Sequence, residues 1–463
     1  MSLVLHLVTL FWTVFAIVLL ARHRLAAAMH PLLHVAVAHI VYFAVPPDTA
    51  VLQVGFLHLL TAIVLVAGFY SVSSRSRLRL TGPRSLLMDN SAVKLAVIWS
   101  GVAIALAVPI AAVLSGARPF DVLTGFYTDR ARLPVHPAVA VLIRATKRIP
   151  FIAIVLGRIW VNLSPSIAVR WSWRILFLVQ LSLAFASGIR SAVVFVVAFV
   201  VLGDVYAKFV LQVQLPLIER VRQKTAYFLL GTVTVLTVAF LTLFRHTTFY
   251  DPRQMVAGAL AAMQSGSLSG AAGSAGLQKL NRFAAFCVTH YVGDGQYGQG
   301  LYAQVANVVP RYLWQDKPYG FGKTLAHDAM GTPYNHPNSV AAGIGGEAIY
   351  NGGWPGVVVL GYLFGVFFGL LYRGAINLRD PSMVACLLVY VGWATGICRG
   401  DWLSSINQIT YQVGAYILLM GVMRMGLGRP IRIIVPRGGS AEPPEQAVGA
   451  IGNNRALLPT LSR

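Results

Sequence analysis

Long apolar runs alternate with short basic segments along most of the chain. A helix needs about 20 residues to cross the hydrocarbon core of a bilayer, and about eleven of the runs approach that length. They predict spans over 2–20, 27–45, 51–71, 94–114, 148–163, 175–188, 191–210, 225–243, 354–372, 382–398 and 405–423. The pattern therefore predicts an all-α polytopic membrane protein with about eleven transmembrane helices and one large, partly helical outer loop.

The same pattern divides the chain into four parts. Residues 1–243 hold the earlier predicted spans with short loops, and 244–353 form one long, more polar loop. Residues 354–424 hold the remaining spans. Residues 437–463 are rich in glycine, proline, alanine and polar groups, which predicts a disordered cytoplasmic tail.

Lysine and arginine are concentrated in three segments between or after the predicted spans. These are 72–94, 211–224 and the start of the tail at 424–432. All three lie on one side if the N-terminus is outside, and short loops rich in positive charge mark the cytoplasmic side. The expected orientation therefore places 115–147 and the large loop 244–353 on the outer face.

Composition supports the membrane assignment and weakens other classes. The chain is 57% hydrophobic and 11% charged, whereas a soluble protein has about 25% charged residues. The net charge of +22 would suggest nucleic acid in a soluble protein. Here most basic residues flank apolar runs, where they set orientation and contact anionic lipid. Three cysteines, Cys287, Cys386 and Cys398, suggest neither a disulfide framework nor a zinc cluster.

Several arginines lie on the side where positive charge is disfavoured. Each alone could be an interfacial anchor or half of an ion pair, and 130–148 could form an interfacial or re-entrant helix. The guanidinium fork, however, matches phosphate oxygens in two-point geometry. Together the arginines predict an anionic, lipid-linked substrate, such as a diphosphate at the level of the outer head groups. They are Arg118, Arg130, Arg132, Arg190, Arg282, Arg311 and Arg399.

The large loop contains a predicted helix and a stretch rich in aromatic residues and glycine. Leu280, Phe283 and Cys287 recur at helical spacing, which predicts a helix packed on the membrane domain. The stretch that follows, 293–324, suits a carbohydrate-facing surface because aromatic rings stack on sugars; the alternative is a folded loop with the aromatics as its core. The chain has no DxD, HExxH, Walker, GxSxG or CxxC motif, so nothing predicts a metal or nucleotide cofactor.

Polar chemistry is concentrated in YNHPNSVAAGIGGEAIYNGGWPG, residues 334–356, just before an apolar run. Histidine titrates near neutral pH, so His336 suits a general base, while Glu347 could orient an acceptor or serve as the base itself. The structural alternatives are that His336 hydrogen-bonds the loop and that Glu347 pairs with an arginine. Glycines on both sides of Glu347 allow a close backbone approach and a turn into the next span. We therefore expect Glu347 at the outer mouth of the helix bundle, facing the arginines.

Three segments resemble the Wzy-type polymerases of oligosaccharide repeat units. They are Asn281-Arg282 on a predicted helix, VPRYLWQDKP at 309–318, and GGEAIYNGGWPG leading into a helix. The HPN segment at 336–338, followed by a glutamate and a glycine turn, also resembles the related O-antigen ligases. Pro337 replaces the second histidine of their HxHN motif. The resemblance covers mainly residue 190 and residues 277–372.

The resemblance implies a metal-independent membrane glycosyltransferase of the GT-C type, facing the periplasm from the bacterial inner membrane. Donor and acceptor would be glycans on undecaprenyl diphosphate, joined into O-antigen, capsule or exopolysaccharide. Besides these glycans and membrane lipid, a chain-length regulator is a candidate partner; no nucleic acid and no cofactor are expected. The catalytic candidates are His336 and Glu347. The candidates for binding diphosphate are Arg190, Arg282, Arg311, Arg130, Arg132 and Lys317, and those for glycan are Tyr312, Trp314, Asn338, Arg399 and Asp401.

Two other functions fit the same sequence. An O-antigen ligase would use the same donor with lipid A-core as its acceptor, although PRYLWQDKP favours a polymerase. A non-catalytic transporter of lipid or polysaccharide usually carries charge within its spans near the midplane and often has inverted repeats. Here the charge clusters at the outer face around one asymmetric loop, which favours an enzyme.

Overall fold

A computed structural model places helices over most of the chain. The structure describes residues 3–43, 47–73, 85–88, 91–114, 146, 149–163, 166–186, 190–211, 213, 217–243, 280–293, 297–306, 314–334, 340–377, 381–399, 402–427 and 431–434. The predicted disordered tail at 437–463 lies outside these residues, as does most of the outer segment 115–147.

Fourteen α-helices follow one another in the described residues. They are α1 Leu3–His23, α2 Pro31–Tyr42, α3 Val51–Ser73, α4 Ser91–Leu114, α5 Ile149–Leu163, α6 Ile167–Ala186, α7 Arg190–Val205, α8 Leu217–Leu243, α9 280–290, α10 Gln299–Ala306, α11 Phe321–Met330, α12 Gly343–Asn377, α13 Pro381–Arg399 and α14 Trp402–Leu427. A 3₁₀ turn, Arg24–Met29, joins α1 to α2, and a π-helical turn, Tyr206–Val210, continues α7.

Five segments of these helices are long and apolar enough to cross a membrane. They are Leu3–His23, Val51–Ser73, Ile167–Phe185, Ala192–Val210 and Gly343–Asn377, and the described residues hold further, shorter apolar helices. The chain is therefore an all-α membrane protein, as the hydropathy pattern predicted. The helix predicted from spacing in the large loop is also present, as α9, with Leu280, Phe283 and Cys287 buried.

Several predicted spans differ in their extent from the helices, and two of them do not match one whole helix. The span predicted at 27–45 is divided between the 3₁₀ turn and the shorter α2. The division falls at His30, whose backbone is extended because the residue before a proline avoids the helical region; Pro31 then starts a new helix. The span predicted at 354–372 is only the second half of α12, which already begins at Gly343 inside the predicted loop.

A two-stranded antiparallel ribbon joins segments that the sequence analysis treated as a loop and a tail. Strand β1, Ser85–Met88, pairs with β2, Ile431–Ile434, in a register that sets Ser85 opposite Ile434. Because β1 lies between α3 and α4 and β2 follows α14, the pairing puts these two basic segments on the same side of the bundle. The predicted orientation requires that arrangement.

Helix α5 is the buried centre of the bundle. Nearly all of its side chains from Ile149 to Trp160 are buried, and it contacts α4, α6, α7 and α13. Apart from Arg158 and Asn162 the helix is apolar on every side, and such a helix belongs in an interior, so its composition and its position agree.

Helix α12 lies against α3 with almost no side chain between them. Gly361, Gly365 and Gly369 recur every fourth residue and therefore share one face of α12. A Cβ atom at Gly365 would lie 2.0 Å from the carbonyl oxygen of Leu65 on α3. Small residues at this spacing let membrane helices approach until their backbones touch.

Helix α3 contributes a glycine of its own to this contact. A Cβ atom at Gly68 would lie 2.1 Å from the carbonyl oxygen of Tyr362. The contact is thus reciprocal, and it fixes how α12 is placed along α3.

Replacing Gly365 by alanine is expected to lower the free energy of unfolding by about 1–3 kcal/mol, because the two helices must separate to admit a methyl group. Thermal unfolding of the detergent-purified protein, followed by tryptophan fluorescence, measures the loss. Gly421→Ala in α14 is the matched control, since a Cβ there meets no heavy atom within 4 Å. Equal transition temperatures for the two variants would contradict the role given to the backbone contact.

Candidate functional site

The first half of α12 lies inside the helix bundle. Gly343 starts it with φ 72°, in the left-handed region that favours glycine. A Cβ at Gly345 would lie 2.9 Å from the Thr61 hydroxyl oxygen on α3, so the helix packs tightly from its first turn. Glu347 follows and is 0% exposed. Glu347 therefore lies inside the bundle, where the first half of α12 packs against α3 and α9. That it lies near the outer mouth, facing the arginines, stays a prediction.

Cys287 of α9 lies beside this turn of α12. A Cβ at Gly346 would be 3.5 Å from its sulfur. Burial raises the pKa of the Cys287 thiol well above its usual value, and the charge of Glu347 raises it further. The thiol therefore stays protonated and is not a nucleophile, because the thiolate is the reactive form. Cys287 is part of the packing between α9 and α12.

Helix α12 breaks at Gly352 and Gly353, as the glycine turn in the sequence predicted. Gly353 has φ 59° and ψ −151°, a conformation open to glycine. Asn351, just before the break, donates from Nδ2 to the carbonyl oxygen of Glu347 at 2.8 Å. Its Oδ1 accepts from the amide of Leu301 on α10 at 2.9 Å. These hydrogen bonds hold the end of the first half of α12 against α10, a helix of the large loop.

A buried hydrogen bond fastens α9 to α3. Nδ2 of Asn281 donates to the carbonyl oxygen of Phe43 at 2.9 Å, which turns its Oδ1 toward His58. Since that oxygen only accepts, Nε2 of His58 is the donor in their 2.9 Å contact. Asn281 is fully buried, whereas the neighbouring Arg282 is exposed. Asn281 therefore fixes the position of α9, whereas the Arg282 side chain lies on the exposed surface of that helix.

A small cavity of about 40 Å³ lies beside this hydrogen bond. His39 and His58 line it, with their ring centroids 5.2 Å apart and their planes nearly perpendicular. The volume has room for a water molecule. Neither histidine was among the predicted site residues. Both are ionisable side chains within apolar runs, and that pattern alone indicates a functional candidate.

The end of α9 is joined to α11 by a second hydrogen bond. The hydroxyl of Tyr291 donates to the carboxylate of Asp328 at 2.7 Å. Burial raises the pKa of Tyr291, and the bond to Asp328 raises it further. The phenol therefore keeps its proton and donates over the physiological pH range. Phe321 of α11 also packs on Tyr350 of α12, at 5.0 Å between ring centroids.

Three aromatic rings stack along one side of α11. The centroids of Tyr319 and Tyr334 are 4.7 Å apart with planes at 17°, and those of His327 and Tyr334 are 4.2 Å apart with planes at 25°. We call these three residues the ring stack. Tyr334 directly precedes residues 335–339, which carry His336, and the amide of Val340 beyond them donates to Gly322 at 3.0 Å. Both ends of the histidine segment are therefore held beside α11.

The structure describes only part of the predicted set. Outside the described residues are Arg130, Arg132, Arg311, Tyr312, His336, Asn338 and Asp401. The backbone alone is placed for Arg190, which begins α7, and for Arg399, which ends α13. Lys317 is 7% exposed, so its side chain is buried, and its contact with a diphosphate stays a prediction. Trp314 meets Tyr302 edge to face at 6.2 Å.

Within the described ranges, no group of three or more histidine, cysteine or acidic side chains is arranged to hold a metal ion. Comparison with protein-family models, curated proteins and solved structures found no match. The function of this protein is therefore inferred from its own residues.

Replacing Asn281 by leucine is expected to lower the free energy of unfolding by about 1–3 kcal/mol, because it leaves the buried Nε2 of His58 without its acceptor. The measurement is the thermal transition of the purified protein in detergent. Arg282→Gln is the control, since it alters an exposed side chain on the same turn of α9. If both variants melted like the wild type, the bond between α9 and α3 would not stabilise the fold.

Proposed function

We propose that the protein is a metal-independent glycosyltransferase that polymerises oligosaccharide repeat units carried on undecaprenyl diphosphate. The reaction takes place at the periplasmic face of the bacterial inner membrane and yields a surface polysaccharide. The observation that carries the proposal is a convergence: α9, α11 and the first half of α12 contact one another. Trp314 contacts Tyr302 of α10, and the neighbouring Leu301 bonds Asn351 of α12. The resemblance to repeat-unit polymerases rests on α9, the segment that contains Trp314 and the first half of α12.

The chemistry needs a cation, a proton acceptor and a surface for sugars. A sugar hydroxyl of the acceptor attacks the anomeric carbon of the donor, and the bond from that carbon to the phosphate oxygen breaks. The lipid diphosphate leaves with the electron pair, and the hydroxyl proton passes to a base. No external energy source is required, because the phosphate ester is already an activated leaving group.

Two features of the described residues support these roles, and a third comes from the sequence alone. Arg282 is exposed on α9 and can offer its guanidinium fork to the leaving diphosphate. The ring stack offers faces on which sugar rings can lie. His336 follows the ring stack by two residues and is the favoured proton acceptor. Glu347 is fully buried, which favours a positioning role for it over direct contact with the acceptor.

Replacing Tyr334 by alanine is expected to raise the KM for lipid-linked repeat units about three- to tenfold, the equivalent of one lost aromatic contact. Membranes supplied with purified lipid-linked repeat unit, with product length resolved on gels, give the measurement. Tyr334→Phe is the control because it keeps the ring and removes only the hydroxyl. If the alanine variant kept the wild-type KM, sugars would not bind on the ring stack.

Replacing His336 by glutamine is expected to lower the polymerisation rate about 10²- to 10⁴-fold, the usual contribution of a general base. Glu347→Gln tests the alternative assignment of the base, and membrane insertion of both variants is checked by fractionation. Loss of activity in the Glu347 variant alone would reverse the two roles. If both variants kept the wild-type rate, neither residue would be the base, and the mechanism would be stabilisation of the leaving diphosphate by arginine. Transfer of preformed polymer to lipid A-core, without chain growth, would identify a ligase instead.

A further inference from the structure

A buried ion pair joins α5, α7 and α8, and the proposed reaction does not use it. Nε and Nη2 of Arg158 donate to the two carboxylate oxygens of Asp204 at 2.6 and 2.8 Å. Nδ2 of Asn162 donates to one of these oxygens at 2.6 Å, and the Tyr227 hydroxyl donates to the other. Asp204 is 3% exposed. Its charge is therefore balanced by Arg158, and its lone pairs are occupied.

A cavity of about 180 Å³ lies beside this ion pair, between α7 and α8. Lys208, in the π-helical turn after α7, lines it together with Gln223 and Tyr227. The Lys208 ammonium lies 5.5 Å from the centroid of the Phe209 ring. Among the described residues no carboxylate pairs with Lys208. Asp204 also lines the cavity, but Arg158 balances its charge, so the Lys208 ammonium leaves a net positive charge there.

A second cavity of about 410 Å³, largely open along the surface of α8, adjoins the first and shares Tyr227 with it. Its other lining residues are Phe228, Gly231, Thr232 and Leu236, all of α8, and Phe228 and Leu236 are largely exposed. A Cβ atom at Gly231 would meet no heavy atom within 4 Å, so the groove is open at that point. Along α8 the lining thus changes from cationic and polar to apolar.

We propose that the two cavities together bind one phospholipid with an anionic head group. The phosphate lies on the Lys208 ammonium, and one acyl chain runs along α8 past Gly231. The order of the lining, cationic and then apolar, matches the order of groups in a lipid.

The position of Lys208 supports the same ligand. It lies just before 211–224, the basic segment that marks the head-group level of the cytoplasmic leaflet in the predicted orientation. Anionic lipids of that leaflet attract lysine near the surface. A soluble phosphate would use the cationic end and leave the apolar groove unfilled. The two cavities together therefore suit an amphiphile. This lipid site takes no part in the proposed transferase reaction.

Native mass spectrometry of the full-length protein in detergent, titrated with phosphatidylglycerol, tests the proposal. The wild type is expected to retain one copy tightly. Lys208→Gln should weaken that copy roughly ten- to a hundredfold, the usual effect of losing a hydrogen bond from a charged group. Lys224→Gln removes the same charge from an exposed position that lines neither cavity, and it should bind like the wild type.

Gly231→Leu tests the acyl groove separately, because the larger side chain fills the open space without meeting other atoms. It should lose the tight copy, whereas Gly421→Leu in α14, also in open space, should keep it. Equal retention of phosphatidylethanolamine or diacylglycerol would overturn the assignment of an anionic head group. Retention by Gly231→Leu, or equal weakening in both lysine variants, would overturn the site itself. A copy displaced by inorganic phosphate alone would show an anion site without a lipid.

Discussion

The backbone contact between α3 and α12 is the constraint on which the candidate site depends. It continues along both halves of α12: Gly345 packs on Leu57 and Thr61, and Gly365 packs on the carbonyl of Leu65. The first half of α12 ends at Asn351, which bonds Leu301 of α10. The break at Gly352 and Gly353 then redirects the chain, so that both halves of α12 pack on α3. Because α3 also carries His58, the same contact that places Glu347 places the bond that holds α9.

Two polar pairs inside this bundle join distant segments and help define its architecture. In an apolar interior an unsatisfied polar group costs several kcal/mol. His58 and Asn281 satisfy one another across 223 residues of sequence, and Arg158 and Asp204 do so across 46. The first pair fixes a loop helix on the membrane helices, and the second fixes α8 on α5 and α7. Because each buried polar group is stable only with its partner, each pair favours one specific contact between distant segments.

The sequence predicted what depends on local pattern and missed what depends on distant pairing. Apolar length predicted the helices, the helical spacing of Leu280, Phe283 and Cys287 predicted α9, and the GGWP turn predicted the break in α12. The burial of Glu347 could not be read from its own neighbourhood, since it follows from glycines that fit against α3 and α9. The bond from Asn281 to His58, the ion pair of Asp204 and the pairing of β1 with β2 leave no local periodicity. Most of the fold was therefore predictable, and the geometry of the site was not.

The burial of Glu347 has an electrostatic consequence if the substrate is a lipid diphosphate, as proposed. A carboxylate at an open mouth would repel the leaving diphosphate, by about 4 kcal/mol for unit charges 4 Å apart at a dielectric constant near 20. Enclosing the carboxyl group between α9 and α12 removes it from that surface, while Arg282 on the same α9 remains exposed. One short helix then separates the acidic group from the cationic one. In the proposed reaction the Arg282 guanidinium could then stabilise the leaving diphosphate without the Glu347 carboxylate beside it.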